Sequence, residues 1–139
     1  MSTLVMMKGL PKAGKTTWAK NWAKSKHNRV RVSWTEIMQM MGDEFRQQRQ
    51  TLAFDAAVRI MKNAIRQGMD VVVDECNLYG SEWGLFVANA QMMGAKIVWK
   101  TIDTPLDVCL ERNKEAGYPL LNEQIVRLNE KWGFWLKKR

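Results

Sequence analysis

Gly9-Leu10-Pro11-Lys12-Ala13-Gly14-Lys15-Thr16 reads G-x-x-x-x-G-K-T, the phosphate-binding loop signature. Its surroundings decide whether the match is a site. Before it lies Thr3-Leu4-Val5-Met6-Met7, a short apolar run suited to a buried parallel strand. After it, Thr16 to Lys24 places apolar residues at 18, 19, 22 and 23, a helical spacing. A strand, a glycine-bearing turn and a helix are the context in which this motif binds phosphate. Gly9 and Gly14 lack a Cβ, so the backbone is free to take positive φ and approach a ligand closely. The N–H groups of Pro11-flanking residues Lys12, Ala13, Gly14, Lys15, Thr16 and Thr17 then form an anion nest, reinforced by the helix N-terminus. Lys15 is expected to bridge the outer phosphates of ATP, and the Thr16 hydroxyl to hold Mg²⁺.

Working outward, Arg29-Val30-Arg31-Val32-Ser33 alternates with period two and predicts a second strand. Trp34-Thr35-Glu36 follows at the strand end where open α/β sheets bind ligands. A short helix is expected over 37–41 with Gly42 as its stop, then a polar connection over 43–50. The stripe Leu52, Ala53, Ala56, Ala57, Ile60, Met61, Ala64 and Ile65 predicts a long helix ended by Gly68. Met69 to Glu75 is a third strand tipped by the carboxylates Asp74 and Glu75. Ser81 is expected to cap a helix running to Gly94, and Ala95–Thr101 to form the fourth strand. Pro105 is expected at the first position of the next helix, and Asn122 as the cap of the last. Regular alternation of strands and helices predicts one α/β domain over residues 1–139, a P-loop fold with a small parallel sheet in the order 2-3-1-4 and helices on both faces.

The acid tip beside the loop carries the chemistry. Asp74 there can hold Mg²⁺, and phosphoryl transfer is mostly positioning and charge neutralisation. Trp34 and Thr35 are expected to contact the acceptor, with Glu36 or Glu75 as the proton-accepting carboxylate. Arg112 is expected to reach the phosphates from a lid-like segment.

Charge points to the partner. The chain has 22 basic and 14 acidic residues, a net +8. Residues 1–35 hold eight of the bases (Lys8, Lys12, Lys15, Lys20, Lys24, Lys26, Arg29 and Arg31) and no acid, so the other 22 − 8 = 14 balance the 14 acids. Such a local excess draws in a polyanion, and nucleic acid is the expected partner, DNA ahead of RNA. No apolar run is long enough for a membrane span. Two cysteines, Cys76 and Cys109, fit reduced thiols, and with no leader in view a cytoplasmic monomer or small homo-oligomer is expected.

Taken together, Gly-x-Pro-x-x-Gly-Lys-Thr-Thr-Trp-Ala, Trp34-Thr35-Glu36-Ile37, Val71-Val72-Val73-Asp74-Glu75-Cys76-Asn77-Leu78, Ile102-Asp103-Thr104-Pro105 and Glu111-Arg112-Asn113 resemble the kinase domain of phage polynucleotide 5′-hydroxyl kinases. The resemblance implies transfer of the γ-phosphate of ATP to a hydroxyl on nucleic acid, either a 5′ end or a hydroxymethylated base in DNA. It also implies phosphate and Mg²⁺ binding by Lys15 and Thr16, a lid role for Arg112, and an acceptor next to residues 74–75. Three positions depart from the family. Thr35 stands where the family has its aspartate base, Met38 where it has an arginine for the acceptor phosphate, and Ala116 where it has a second lid arginine. A kinase for nucleosides, nucleotides or sugars, and an ATP-binding module without catalysis, are the alternatives that these departures leave open.

Overall fold

A computed structural model describes residues 1–42 and 47–137. Four parallel strands, β1 (Thr3–Lys8), β2 (Arg29–Val32), β3 (Asp70–Val73) and β4 (Lys96–Thr101), lie in the order β2-β3-β1-β4. This is the expected P-loop kinase-like sheet. The helices among the described residues are α1 (Lys15–Lys24), α2 (Trp34–Met41), α3 (Gln47–Arg66), α4 (Gly80–Met92), α5 (Leu106–Ala116) and α6 (Pro119–Lys137).

Strand alternation divides the core between the two sheet faces. Leu4, Met6, Val71 and Val73 pack with Ala57, Met61 and Phe86 of α3 and α4 on one face. On the other, Val5, Met7 and Val72 meet Ala19 of α1, with Trp18 and Trp22 at the margin. A third cluster under the loop joins Leu10 and Ala13 to Cys109 of α5 and Ile125 of α6. Burying both faces of β1 and β3 explains their unbroken apolar runs.

Several boundaries differ from expectation for local reasons. Helix α2 begins at Trp34, because the Ser33 hydroxyl accepts from the Glu36 N–H at 3.3 Å and caps it. Residues 47–50 belong to α3 rather than to a connection; the expectation for 43–46 lies outside the described residues. In α3 the buried residues are Ala53, Ala57, Met61, Ala64 and Ile65, whereas Leu52 and Ile60 are exposed, so the core-facing stripe is narrower than the apolar one. Ser81 is not the cap of α4: the Tyr79 carbonyl accepts from Glu82 and Trp83, placing Tyr79 at that position with no side-chain bond. Pro105 sits one position before α5, with ψ of 150°, and its carbonyl takes the first helical bonds from Val108 and Cys109. Asn122 lies inside α6, where its Oδ1 accepts from Asn113 Nδ2 at 2.7 Å.

Candidate active site

The loop between β1 and α1 is a turned cradle. Lys12 has φ of 68° and Gly14 φ of 107°, values that need a left-handed backbone. Gly9 is absent from the positive-φ set; its lack of a side chain serves close packing instead, since a Cβ there would lie 3.0 Å from the Ile102 carbonyl oxygen. Gly14 offers no capping side chain to α1, and the helix has no acid in its first turn. Its leading N–H groups therefore face the cleft without a side-chain acceptor, as an anion site requires.

The cradle is braced from behind. The Thr104 hydroxyl donates to the Ala13 carbonyl at 2.6 Å, and Arg112 Nη1 donates to the Lys12 and Ala13 carbonyls, each at 3.1 Å. Arg112 comes to the loop from within α5, not from the expected lid-like segment after it, and it holds loop carbonyls here. Lys15 is buried, and its ammonium folds back to donate to the Gly9 and Leu10 carbonyls at 3.1 and 2.6 Å. Thr16 and Thr17 are exposed at the cleft.

The acids come from β3. A cleft of about 980 Å³ is lined by Pro11 to Trp18 on one side and by Arg31, Ser33, Thr35, Glu36, Asp74 and Glu75 on the other. Asp74 is buried and held by Arg31, whose Nε and Nη2 lie 2.8 and 2.7 Å from its Oδ2. The same guanidinium takes Glu36 in a bidentate pair at 2.9 and 2.6 Å. These contacts raise the Arg31 pKa, with the Glu36 bond the largest cause, and hold the Glu36 carboxyl below its ordinary value. Glu75 sits differently. Its carboxylate accepts from the Thr35 N–H at 3.0 Å, the Thr35 hydroxyl at 2.8 Å and the Ser33 hydroxyl at 3.1 Å. Burial nevertheless dominates and pushes its pKa up. Burial likewise raises the Cys76 thiol at the cleft wall, against the pull of nearby Lys15. Cys76 and Cys109 are both free.

Trp34 is a correction. It leaves the cleft and packs edge-on against Phe54, ring centroids 6.3 Å apart, beside the core of the opposite sheet face. Thr35 stays in the cleft, bound to Glu75. The charge excess is also smaller as a field than its count. Lys8 is buried, with its ammonium 4.1 Å from the Trp135 ring centroid and donating to the Trp135 carbonyl, and Arg31 is neutralised by two acids.

Arg31 and Asn77 are the site residues that sequence reasoning passed over. Register offered a signal for the first: Arg31 pairs with Val72, so it shares a sheet face with Asp74 two residues further along β3. Asn77, at φ of 52°, fixes the turn after the acids by donating Nδ2 to the Met7 carbonyl, and Trp135 of α6 donates to its carbonyl at 3.1 Å.

The donor set fits a nucleotide with Mg²⁺: an uncapped loop, a lysine, a threonine hydroxyl and a carboxylate in one cleft. Magnesium keeps several waters and takes few protein ligands, so Thr16 and Asp74 suffice. Among the described residues no cluster of three or more acidic, histidine or cysteine groups offers an all-protein metal cage. No helix among them is long and apolar enough to cross a membrane.

Comparison with known proteins agrees with this geometry. The family described as AAA domain (AAA_33) matches residues 4–119. L-seryl-tRNA(Sec) kinase of Methanococcus maripaludis is 26% identical over 132 residues, 93% of this chain and 52% of that protein. Among solved structures, one of a Pnkp1/Rnl/Hen1 complex superposes with a TM-score of 0.72 at 21% identity, covering 80% of this chain and 38% of that one. The Mycobacterium tuberculosis APS kinase, in complex with AMPPNP and APS, gives a TM-score of 0.62 at 16% identity, covering 85% and 72%. This chain therefore spans about half the length of that curated relative.

Proposed function

The chain belongs to the AAA_33 family of AAA domains, and from that premise we propose that it is an ATP-dependent kinase whose acceptor is a hydroxyl carried on nucleic acid. The observation that carries the proposal is one cleft holding both an uncapped phosphate loop with Lys15 and a carboxylate pair at the neighbouring strand tip. Loop N–H groups and Lys15 would bind the β- and γ-phosphates, the lysine exchanging its two loop carbonyls for phosphate oxygens. Thr16 and Asp74 would hold Mg²⁺, which supplies charge neutralisation across those phosphates. Arg112, already at the loop, adds a cation from α5.

The acceptor oxygen attacks the γ-phosphorus while the bond to the β–γ bridging oxygen breaks and ADP leaves. The proton of the acceptor hydroxyl goes to Glu75. Glu36 is the weaker base because Arg31 stabilises its ionised form, whereas burial raises the proton affinity of Glu75. Thr35 is a positioning residue that orients the Glu75 carboxylate through its N–H and hydroxyl.

Nucleic acid as the carrier rests on the bases of residues 1–35 that remain once Lys8 and Arg31 are set aside, with no acid among those residues, and on the name of the curated relative, an L-seryl-tRNA(Sec) kinase. That relative brings RNA into consideration beside DNA. A labelled-ATP assay tests the proposal with 5′-hydroxyl DNA and RNA strands, hydroxymethyl-bearing duplex, aminoacylated tRNA and free nucleosides. Transfer to a polymer, weakened steeply by salt, is the expected result. Transfer confined to free nucleosides, insensitive to salt, would leave a small-molecule kinase; nucleotide binding with no product would leave a non-catalytic module.

A further inference from the structure

The sheet face under α1 is incompletely covered on its β4 side. Register sets Lys96, Val98 and Lys100 beside Thr3, Val5 and Met7, so these three side chains share the α1 face. Lys96 is exposed and Val98 is 37% exposed. Beside Lys100 at the end of this strip α1 lays Trp18, with Trp22 one turn further on, their ring centroids 6.3 Å apart and their planes within 18°. Lys100 Nζ of β4 stands 5.4 Å from the Trp18 centroid, while the Arg29 guanidinium, reaching from β2, stands 4.4 Å from that of Trp22 and donates to the Trp22 carbonyl and the Ser25 hydroxyl. Core packing accounts for the inner edge of each tryptophan but not for a half-exposed parallel pair fenced by cations.

We propose that this pair is a track for a single-stranded segment of the acceptor, its bases stacking on Trp18 and Trp22 as Lys100 leaves the Trp18 face for a phosphate, with Lys96 meeting the next one. Trp18 also lines the nucleotide cleft, so the track starts at the site and leads away from it. Aromatic faces accept any base and lysines accept the backbone, which gives binding without sequence preference. A second copy of the chain is the poorer occupant. Antiparallel pairing of two β4 edges about Val98 would set Lys96 opposite Lys100 in both directions, like charges face to face. The track rests on the phosphotransfer proposal for which molecule it guides, while its binding chemistry stands alone.

Anisotropy of a labelled single strand of about twelve nucleotides, a length within the reach of such sites, tests the track. Trp22→Ala should weaken binding about tenfold or more, and Trp22→Phe should retain most of it. The variant Lys96→Glu/Lys100→Glu, which alters no buried side chain, should weaken binding and flatten its salt dependence by one to two charges' worth, roughly. ATP-analogue affinity serves as the control for an intact fold. Unchanged strand affinity in Lys96→Glu/Lys100→Glu overturns the track, as does a wild-type dimer that this variant dissociates without any strand binding. Transfer to a dinucleotide, measured alongside, separates the two proposals. If transfer is absent but strand binding depends on Trp22, the acceptor reading fails and the track stands; if transfer persists and strand binding ignores Trp22, the track alone fails.

Discussion

Arg31→Met should destabilise the protein far more than its position at the rim of a cleft suggests. The side chain of Arg31 is 13% exposed and that of Asp74 2%, and the guanidinium is the cation that meets Asp74 at 2.7–2.8 Å. Removing one partner of a buried pair leaves an uncompensated charge, at a cost of about 3–5 kcal/mol. Water in the open cleft reaches part of the Arg31 side, so a loss near the lower figure, about 3 kcal/mol, is expected. In a domain of this size that lowers Tm by about 10 °C. Glu36→Gln removes the other arm of the same clamp, but its side chain is 49% exposed, so the cost should stay below about 1 kcal/mol. Thermal unfolding of the two variants, with and without millimolar Mg²⁺, makes the comparison. Magnesium should recover part of the Arg31→Met loss and little of the Glu36→Gln loss, because the cation replaces the missing charge beside Asp74. If Arg31→Met costs no more than Glu36→Gln, the clamp on Asp74 does not stabilise the strand tip and the argument fails.

Lys15→Ala should leave the fold intact and reduce turnover by a factor on the order of 10²–10³ or more, read by ATP consumption, since charge stabilisation at the transferring phosphate is lost. Gly9→Ala pushes a Cβ to 3.0 Å from the Ile102 carbonyl and should cost about 1–3 kcal/mol in denaturant unfolding, with the affinity for nucleotide falling only through the displaced loop. Glu75 titrates above its ordinary value in the folded protein, so the stability linked to it is complete below the unfolded value and lost as pH rises through the folded one. Activity has the opposite sign: kcat/KM should rise with pH as Glu75 deprotonates, its acid limb displaced upward by burial, and Glu75→Gln should abolish that limb. A wild-type limb at the ordinary carboxylate value that survives Glu75→Gln would return the role of base to Glu36.

The sheet order and the loop were legible because both depend on local pattern. Apolar runs at 3–7 and 71–73, the glycine-bearing turn and the helical stripes each report on their own neighbourhood, and right-handed crossovers supply the rest. Helix starts were less legible because the backbone met those needs without the obvious side chain. Ser81 and Asn122 have the right chemistry for caps, yet Tyr79 and Pro119 open those helices, and Asn122 is drawn into a bond with buried Asn113. Trp34 misled for a related reason: next to a strand end its ring looks available to a ligand, but α2 starts at Trp34, three residues before the expected 37–41, and the ring packs onto Phe54.

Arg31 shows why the site's electrostatics could not be read from composition. Counted along the chain it is one of eight unopposed bases, and the sum predicts a strong positive field. Folded, it faces two acids drawn from residues 36 and 74, and Lys8 is withdrawn into a tryptophan box, so two of the eight are spent on the fold itself. Of the other six, Lys20 and Lys24 are exposed on α1 and Lys26 just beyond it, whereas Lys12 and Lys15 line the cleft that holds the acids. That separation has a mechanistic consequence. Burial holds the pKa of Glu75 up inside the cleft, while the exposed cations that would attract a polyanion act from one side, along the helix that begins at the phosphate loop. A uniformly basic cleft would lower the pKa of Glu75 and weaken it as a base. This placement of charge would let one small domain combine attraction for a polyanion with the proposed general-base chemistry.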